Sequence, residues 1–218
     1  MQLSENTLNV LKNFASINSG VVLNKGKTQK TISPEKSILV EATIEDDIPS
    51  EFGIYDLNEF LGIFTFLKNP EITFGNNLVV LIDEGGFKFT YRGCSTNLII
   101  TPPDKELVLK NITTKFSLAN STSQKLIRIA TLSNLPNLSV IGKDGDLLLK
   151  IHEKTNDTSN DGVQKIGDYA GEDFIGTFKT ENLKLLPDDY NVEIQAGAFA
   201  KFENVNNNLK YFIALETK

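Results

Sequence analysis

The side chains with the greatest chemical potential in this sequence are few. His152 is the only histidine and Cys94 the only cysteine. A nucleophilic triad needs a base beside its nucleophile and a third group to orient that base. No G-x-S-x-G elbow is present to display a serine, and His152 closes an expected strand, Asp146–His152, where it reads as a surface or edge residue. Zinc requires a Cys/His cluster, which one residue of each type does not supply. Cys94 lies between Gly93 and Ser95 and reads as packing, not as a reactive thiol; alone, it forms no internal disulfide. Asp157, Ser159, Asp161 and Gly162, with Asp168 eleven residues after Asp157, faintly echo a calcium loop. In such a loop the twelfth position is a bidentate Glu and the flanks are helices. Here the flanks read as strands, so a polar turn is expected. Gly85-Gly86 sits in a hairpin signal with no G-x-x-x-x-G-K-S/T pattern, so no phosphate cradle is indicated. Asp46-Asp47 and Asp188-Asp189 read as solubilising turn residues. The expectation is a protein that is not an enzyme and that holds no metal or cofactor.

What remains is a set of helical faces. Over Ser4–Ile17, Leu8, Leu11, Phe14 and Ile17 recur at helical spacing with Val10 beside them; Ser4 is a natural N-cap and Gly20 follows the last turn. Asp56–Leu67 reads as a second helix, with Asp56 as cap and Leu57, Phe60, Leu61, Phe64 and Leu67 as its apolar side. Ser121–Leu135, capped by the Ser/Thr cluster at 121–123, and a short Thr180–Leu186 segment stopped by Pro187 complete the set. Short β-like runs surround these helices. In the first half they include Lys27–Ile32, Ile38–Ile44, Leu78–Ile82, Phe87–Tyr91 and Asn97–Ile100; in the second, Val163–Tyr169, Tyr190–Ala196 and Leu209–Leu215. The order helix, strands, helix, strands occurs twice, with Thr101-Pro102-Pro103 as the break. The predicted organisation is therefore α+β: two similar domains of antiparallel sheet with two helices each, over 1–104 and 113–218, joined by a connector at 105–112. Glu153–Gly162 reads as a mobile polar hairpin tip.

Charge sharpens the picture. The chain of 218 residues holds 22 Lys and Arg against 28 Asp and Glu, a net −6. Proteins that wrap nucleic acid tightly are usually basic. Yet the four helical segments together, taken as 4–17, 56–68, 121–135 and 179–186, carry a net +2, and the segment 121–135 has Lys125 and Arg128 three apart with no acid. Such a face is either an ordinary solvated one or one turned towards phosphate. No window approaches the roughly 18 apolar residues of a membrane span. The MQLSENT start lacks the basic and apolar regions of a secretory signal. A soluble protein of a reducing compartment is expected.

LSENTLNVLKNFASINSG (Leu3–Gly20), IYDLNEFLGI (Ile54–Ile63), GDYAGEDF (Gly167–Phe174) and YFIALET (Tyr211–Thr217) closely resemble the sliding clamps of T-even-type bacteriophages. The first two segments are the most specific, and the resemblance is weakest over about 70–165. It implies the DNA-clamp fold assembled as a homotrimeric ring, helices lining the hole and sheets outside. It also implies a processivity factor that encircles double-stranded DNA without reading its sequence, tethers the replicative DNA polymerase and is opened by a clamp-loader ATPase. In the T-even group the ring further activates late transcription by phage-modified RNA polymerase. The implied location is the host cytoplasm, with no membrane partner. By position, the resemblance implies Asn9, Lys12, Ser16, Lys68, Lys125, Arg128 and Lys184 as DNA-facing, though Glu5, Glu59 and Glu181 dilute that collar. It places a partner-peptide pocket at Leu107, Val108, Ala214 and Leu215. It places a subunit interface where Thr96–Thr101, with Thr96, Leu98 and Ile100, pairs with Val163–Tyr169, with Val163, Ile166 and Tyr169. The competing reading is an acidic β-rich structural or scaffold protein with no DNA partner.

Overall fold

The computed structural model describes residues 1–156 and 158–216 and divides into two compact units, Met1–Lys105 and Glu106–Lys218. In unit 1, α1 (Glu5–Ile17) is followed by β1 (Val21–Leu23), β2 (Gly26–Ile32), β3 (Ile38–Ile48) and β4 (Phe52–Ile54), then by α2 (Leu57–Phe66), β5 (Glu71–Gly75), β6 (Leu78–Ile82) and β7 (Lys88–Arg92). β2 pairs with β3, β1 with β4, and β5, β6 and β7 form a sheet in that order, all antiparallel. Leu11 and Phe14 of α1, Leu57 and Phe60 of α2, Val40 of β3 and Ile54 of β4 are fully buried. Burying side chains of this size contributes about 1.5–3 kcal/mol each.

Unit 2 contains β8 (Thr114–Leu118), α3 (Asn120–Leu132), β9 (Asn137–Lys143), β10 (Asp146–His152), β11 (Gly162–Asp168), β12 (Phe174–Lys179), β13 (Tyr190–Gln195), β14 (Phe199–Asn204) and β15 (Leu209–Ala214). One antiparallel sheet has the order β11-β10-β9-β12; the other runs β8-β13-β14-β15. α3 lies on the first sheet, where Leu126 and Ile127 face Leu138, Val140 and Leu149 around an apolar cavity of about 20 Å³. Across β8-β13-β14-β15 an ion-pair ladder runs Lys115–Glu193–Lys201–Glu203–Lys210.

Two expected elements are corrected. Asn97–Ile100 is not a strand: Thr96–Leu98 forms a 3₁₀ turn, with Leu98 N–H donating to Ser95 O and Ile99 N–H to Thr96 O. Short polar side chains such as Ser95, Thr96 and Asn97 favour local turns over a ladder. Thr180–Leu186 is not an α-helix either; only Thr180–Asn182 makes a 3₁₀ turn. Leu186 precedes Pro187 and so is disfavoured in helical conformation. Its backbone is held by the core instead: its N–H donates to Tyr211 Oη at 3.1 Å and its carbonyl accepts from Tyr190 Oη at 2.6 Å. Unit 2 therefore has one α-helix among its described residues, not two. α3 also stops short of Leu135. Asn134 adopts φ 53°, and Leu135 N–H turns back to Ala130 O. β3 extends through Ile48, which places Asp46 and Asp47 in a strand, not a turn.

Candidate nucleic-acid interface

α1 is set by its cap. Ser4 Oγ accepts from Thr7 N–H at 3.2 Å, while Ser4 N–H donates to Asp46 Oδ2 at 2.7 Å from β3. Burial pushes the Asp46 carboxyl up. Hydrogen bonds from Thr7 and Ser4, with Lys27 nearby, outweigh that and hold it below its ordinary value. With Thr7, Val10, Leu11, Phe14 and Ile17 turned inward, the structure brings Asn9, Lys12 and Ser16 together on one exposed stripe at i, i+3 and i+7.

α3 presents a second stripe. Lys125 and Arg128 are exposed, while Ser123, Leu126 and Ala130 face the sheet. The expected Ser/Thr cap at 121–123 is replaced. Ala119 occupies the N-cap without a side-chain bond, and Asp189 Oδ1 accepts from Asn120 N–H at 2.7 Å. A carboxylate from a distant turn thus supplies the negative charge that the helix lacks at its positive end. Asp188 is equally engaged, accepting from Asp189 N–H and from the Asn206 side chain. The two carboxylate pairs read as solubilising residues therefore contain helix anchors, Asp46 and Asp189. No local sequence signal marks these, because each partner lies far along the chain.

α2 is capped by Asp56, whose Oδ1 accepts from Glu59 N–H at 3.0 Å. Its exposed side, Asn58, Glu59, Gly62, Thr65 and Phe66, carries no cation. Lys68 lies beyond the helix and pairs with Glu84 at 2.7 Å, so it is not part of a helical stripe. Lys184 lies half-buried in the irregular segment after the 3₁₀ turn, not on a helix. The three α-helices carry a net +1: α1 is neutral, α2 has Glu59, and α3 has Lys125 and Arg128.

The remaining predicted residues fall as follows. Leu107 and Val108 are exposed; Ala214 is half-buried, and Leu215 is buried over Gly176. A cleft of about 690 Å³ in unit 1 is lined in part by Asn24, Thr28, Lys30, Ile99, Pro102 and Pro103. Thr96 is half-buried in its turn, and Leu98 and Ile100 are exposed. Val163 is exposed and Ile166 half-buried on β11. Tyr169 packs against Phe174 with ring centroids 5.4 Å apart, over Gly142, where an added Cβ would lie 2.5 Å from the ring. Its hydroxyl donates to Glu172 O.

The chemistry-bearing residues are placed as structure. His152 Nε2 lies 2.8 Å from Ser139 Oγ, which also meets the Thr177 hydroxyl at 2.8 Å. Ser139 is 1 % exposed, so the contact belongs to a buried hydroxyl network. Burial, and then Lys150, lower the His152 pKa. Cys94 is half-buried, its thiol pushed up by burial. Among the described residues no His/Cys/Asp/Glu group is arranged to hold a metal; Asp157 of the calcium-like loop lies outside them, as does Thr217 of the YFIALET segment. No helix among the described residues is long and apolar enough to cross a membrane.

Comparison with known proteins follows the same line. The family described as DNA polymerase processivity factor matches residues 4–82. The sliding clamp of Vibrio phage KVP40 is 30% identical over 223 residues, covering 99% of both chains. That of Enterobacteria phage T4 is 29% identical, covering 99% of this chain and 97% of the relative. Among solved structures, A. fulgidus PCNA, bound to the C-terminal region of FEN-1, superposes with TM-score 0.73 at 14% identity over 100% of this chain and 97% of the other. The β chain of DNA polymerase III from Streptococcus pneumoniae gives 0.65 at 18% identity, over 97% of this chain and 63% of that one. The architecture is the DNA-clamp fold.

Proposed function

The chain belongs to the sliding-clamp family of T4-like bacteriophages, and from that premise we propose that three copies close into a ring around duplex DNA and hold the replicative polymerase on its template. Sliding clamps are non-enzymatic processivity factors of DNA replication, so the work is mechanical: a closed ring is retained by topology and needs no tight contact. Strong phosphate binding would slow its travel along a duplex that carries one charge per about 1.7 Å. The observation that carries this reading is the acid-free exposed face of α3, with Lys125 and Arg128, in a chain of net −6. With the Asn9, Lys12 and Ser16 stripe of α1, it gives a weak cationic lining in which only the nearest groups act, since screening at physiological salt extends roughly 8 Å. Lys68 and Lys184 are secondary contributors to this lining.

Residues 105–112 serve as the connector between domains 1–104 and 113–218. Partner tails from the polymerase and a clamp-loader ATPase would dock beside it, at Leu107, Val108, Ala214 and Leu215, a placement that rests on the family likeness; Leu107 and Val108 are exposed. Subunits join through edge strands. Because Thr96–Leu98 is a turn, the last strand of unit 1 is β7, and we assign the pairing to β7 against β11, each at the end of its sheet. β7 carries Lys88 and Arg92 with no acid, whereas β11 is neutral, its Lys165 paired with Asp168 at 2.9 Å. Activation of late transcription in the host cytoplasm follows from the family likeness to the T-even group alone.

The test is retention on DNA after loading by the cognate ATPase. Retention on circular DNA that is lost on linearisation supports the ring. Retention that ignores DNA topology, or none under any loading condition, overturns it in favour of an acidic scaffold protein.

A further inference from the structure

The residues assigned to partner tails come from two separate stretches of unit 2: Leu107 and Val108 in the connector, Ala214 and Leu215 at the end of β15. One short turn holds both stretches. Residues 195–198 join β13 to β14 and close on themselves, Ala198 N–H donating to Gln195 O, with Gly197 at φ 72°, a backbone that glycine adopts without strain. On one side the turn takes the end of the connector. Lys110 N–H donates to Gln195 Oε1 at 3.0 Å, Thr113 N–H to Ile194 O at 2.7 Å, and Ala196 N–H to Thr113 Oγ1 at 3.0 Å. On the other side it takes the C-terminal tail, where Leu215 N–H donates to Ala198 O at 2.9 Å. The tail is then fastened to the other sheet of the unit: Glu216 N–H donates to Thr177 O at 2.8 Å, and Asn137 Nδ2 to Glu216 Oε2 at 2.9 Å.

We propose that Gln195 and Thr113 are positioning residues for partner tails, holding the connector, and with it Leu107 and Val108, at a fixed distance from Ala214 and Leu215. The inference rests on the partner-tail reading above and adds the residues that set the width of that site. The register supplies the distance. Gln195 pairs with Phe199 across β13–β14, and Phe199 with Ala214 across β14–β15. Residues directly opposite one another share a face of a sheet, so the connector's anchor, an aromatic ring and the tail residue form one row. Two strand spacings, about 10 Å, separate Gln195 from Ala214. The Phe199 ring between them packs edge-on against Phe212, their centroids 6.1 Å apart. The connector, 105–112, forms no helix or strand of its own, so side-chain anchors fix its path. With an anchor removed, the connector samples more positions. The competent one is then populated less, and apparent affinity falls in proportion. The loss of one such hydrogen bond corresponds to about three- to tenfold.

The experiment is fluorescence anisotropy of a labelled synthetic peptide carrying the C-terminal tail of the cognate polymerase. It is titrated with wild type, Gln195→Ala, Gln195→Glu, Thr113→Val, Thr113→Ser and Val108→Asp. Each protein is also melted, and the exchange of its 105–113 amides with deuterated water is followed. Gln195→Glu keeps an Oε acceptor for the Lys110 amide, and Thr113→Ser keeps the hydroxyl that accepts from Ala196. Gln195→Ala and Thr113→Val should weaken the peptide by the factor above and leave the melting transition unchanged. Gln195→Ala should also speed exchange at Lys110. The two conservative variants should retain wild-type affinity, and Val108→Asp, at an exposed residue of the site itself, should lose it. Binding that depends on Val108 but is indifferent to Gln195→Ala and Thr113→Val, or that falls equally in the conservative variants, overturns the positioning role and leaves the partner-tail reading standing. Binding that is absent from wild type, or indifferent to Val108→Asp, overturns both.

Discussion

Ser4 and Asp46 together complete the first turn of α1, one accepting from an amide of the helix and the other from the amide of the cap itself. Ser4→Ala should lower stability by about 1 kcal/mol, read from the denaturant midpoint at constant slope. For Asp46 the folded value lies below the ordinary 3.8. Its contribution is therefore complete above pH 3.8 and is lost as pH falls through the lower, folded value. Asp46→Asn should accordingly narrow the gap between stability at neutral pH and at pH 2, measured by thermal melts; an unchanged acid arm would remove Asp46 from the account. The two kinds of anchor differ in how far the sequence reveals them. Ser4 and Asp56 cap amides three residues on, so type and spacing suffice to find them. Asp46 and Asp189 reach amides 42 and 69 residues away, which only the fold brings near. The GDYAGEDF segment stands between these cases. It was legible as a familiar string, yet its physical basis is the fit of Tyr169 over Gly142, a residue of another strand.

At the scale of elements, α1, α2 and α3 were legible because an apolar stripe repeats at helical spacing through each. The Thr180–Leu186 segment is leucine-rich too but is decided by Pro187, Tyr190 and Tyr211, the last of which bonds Leu186 from 25 residues away, beyond any local window. Asn97–Ile100 failed for the converse reason: its side chains are strand-like in part, while its backbone bonds close within three residues. α2 offers a direct test of helix energetics. Gly62 lies exposed in its interior, and a Cβ added there meets nothing within 4 Å. Gly62→Ala should stabilise the protein by roughly 0.5–1 kcal/mol, seen as a rise in melting temperature. A fall would mean that Gly62 faces something in the assembly.

At the scale of the whole molecule, net charge and helix charge point in opposite directions: −6 for the chain and +1 for its α-helices. Lys125→Ala with Arg128→Ala should weaken loading or retention on DNA without changing the melting transition, and should reduce the salt slope of DNA binding by about 1 for each cation removed. A collapsed transition would make those residues structural. The two sheet edges have a further consequence. β7 and β11 are different strands on different units, so copies joined edge to edge, as proposed, would all point the same way around the proposed circle. A circle built from such arrows has a front and a back that are never interchangeable, unlike one built from two-fold pairs. On the proposed ring, a machine that docks on one side would meet the same side of every copy, and the orientation of threading would decide whether its cargo rides ahead of it or behind.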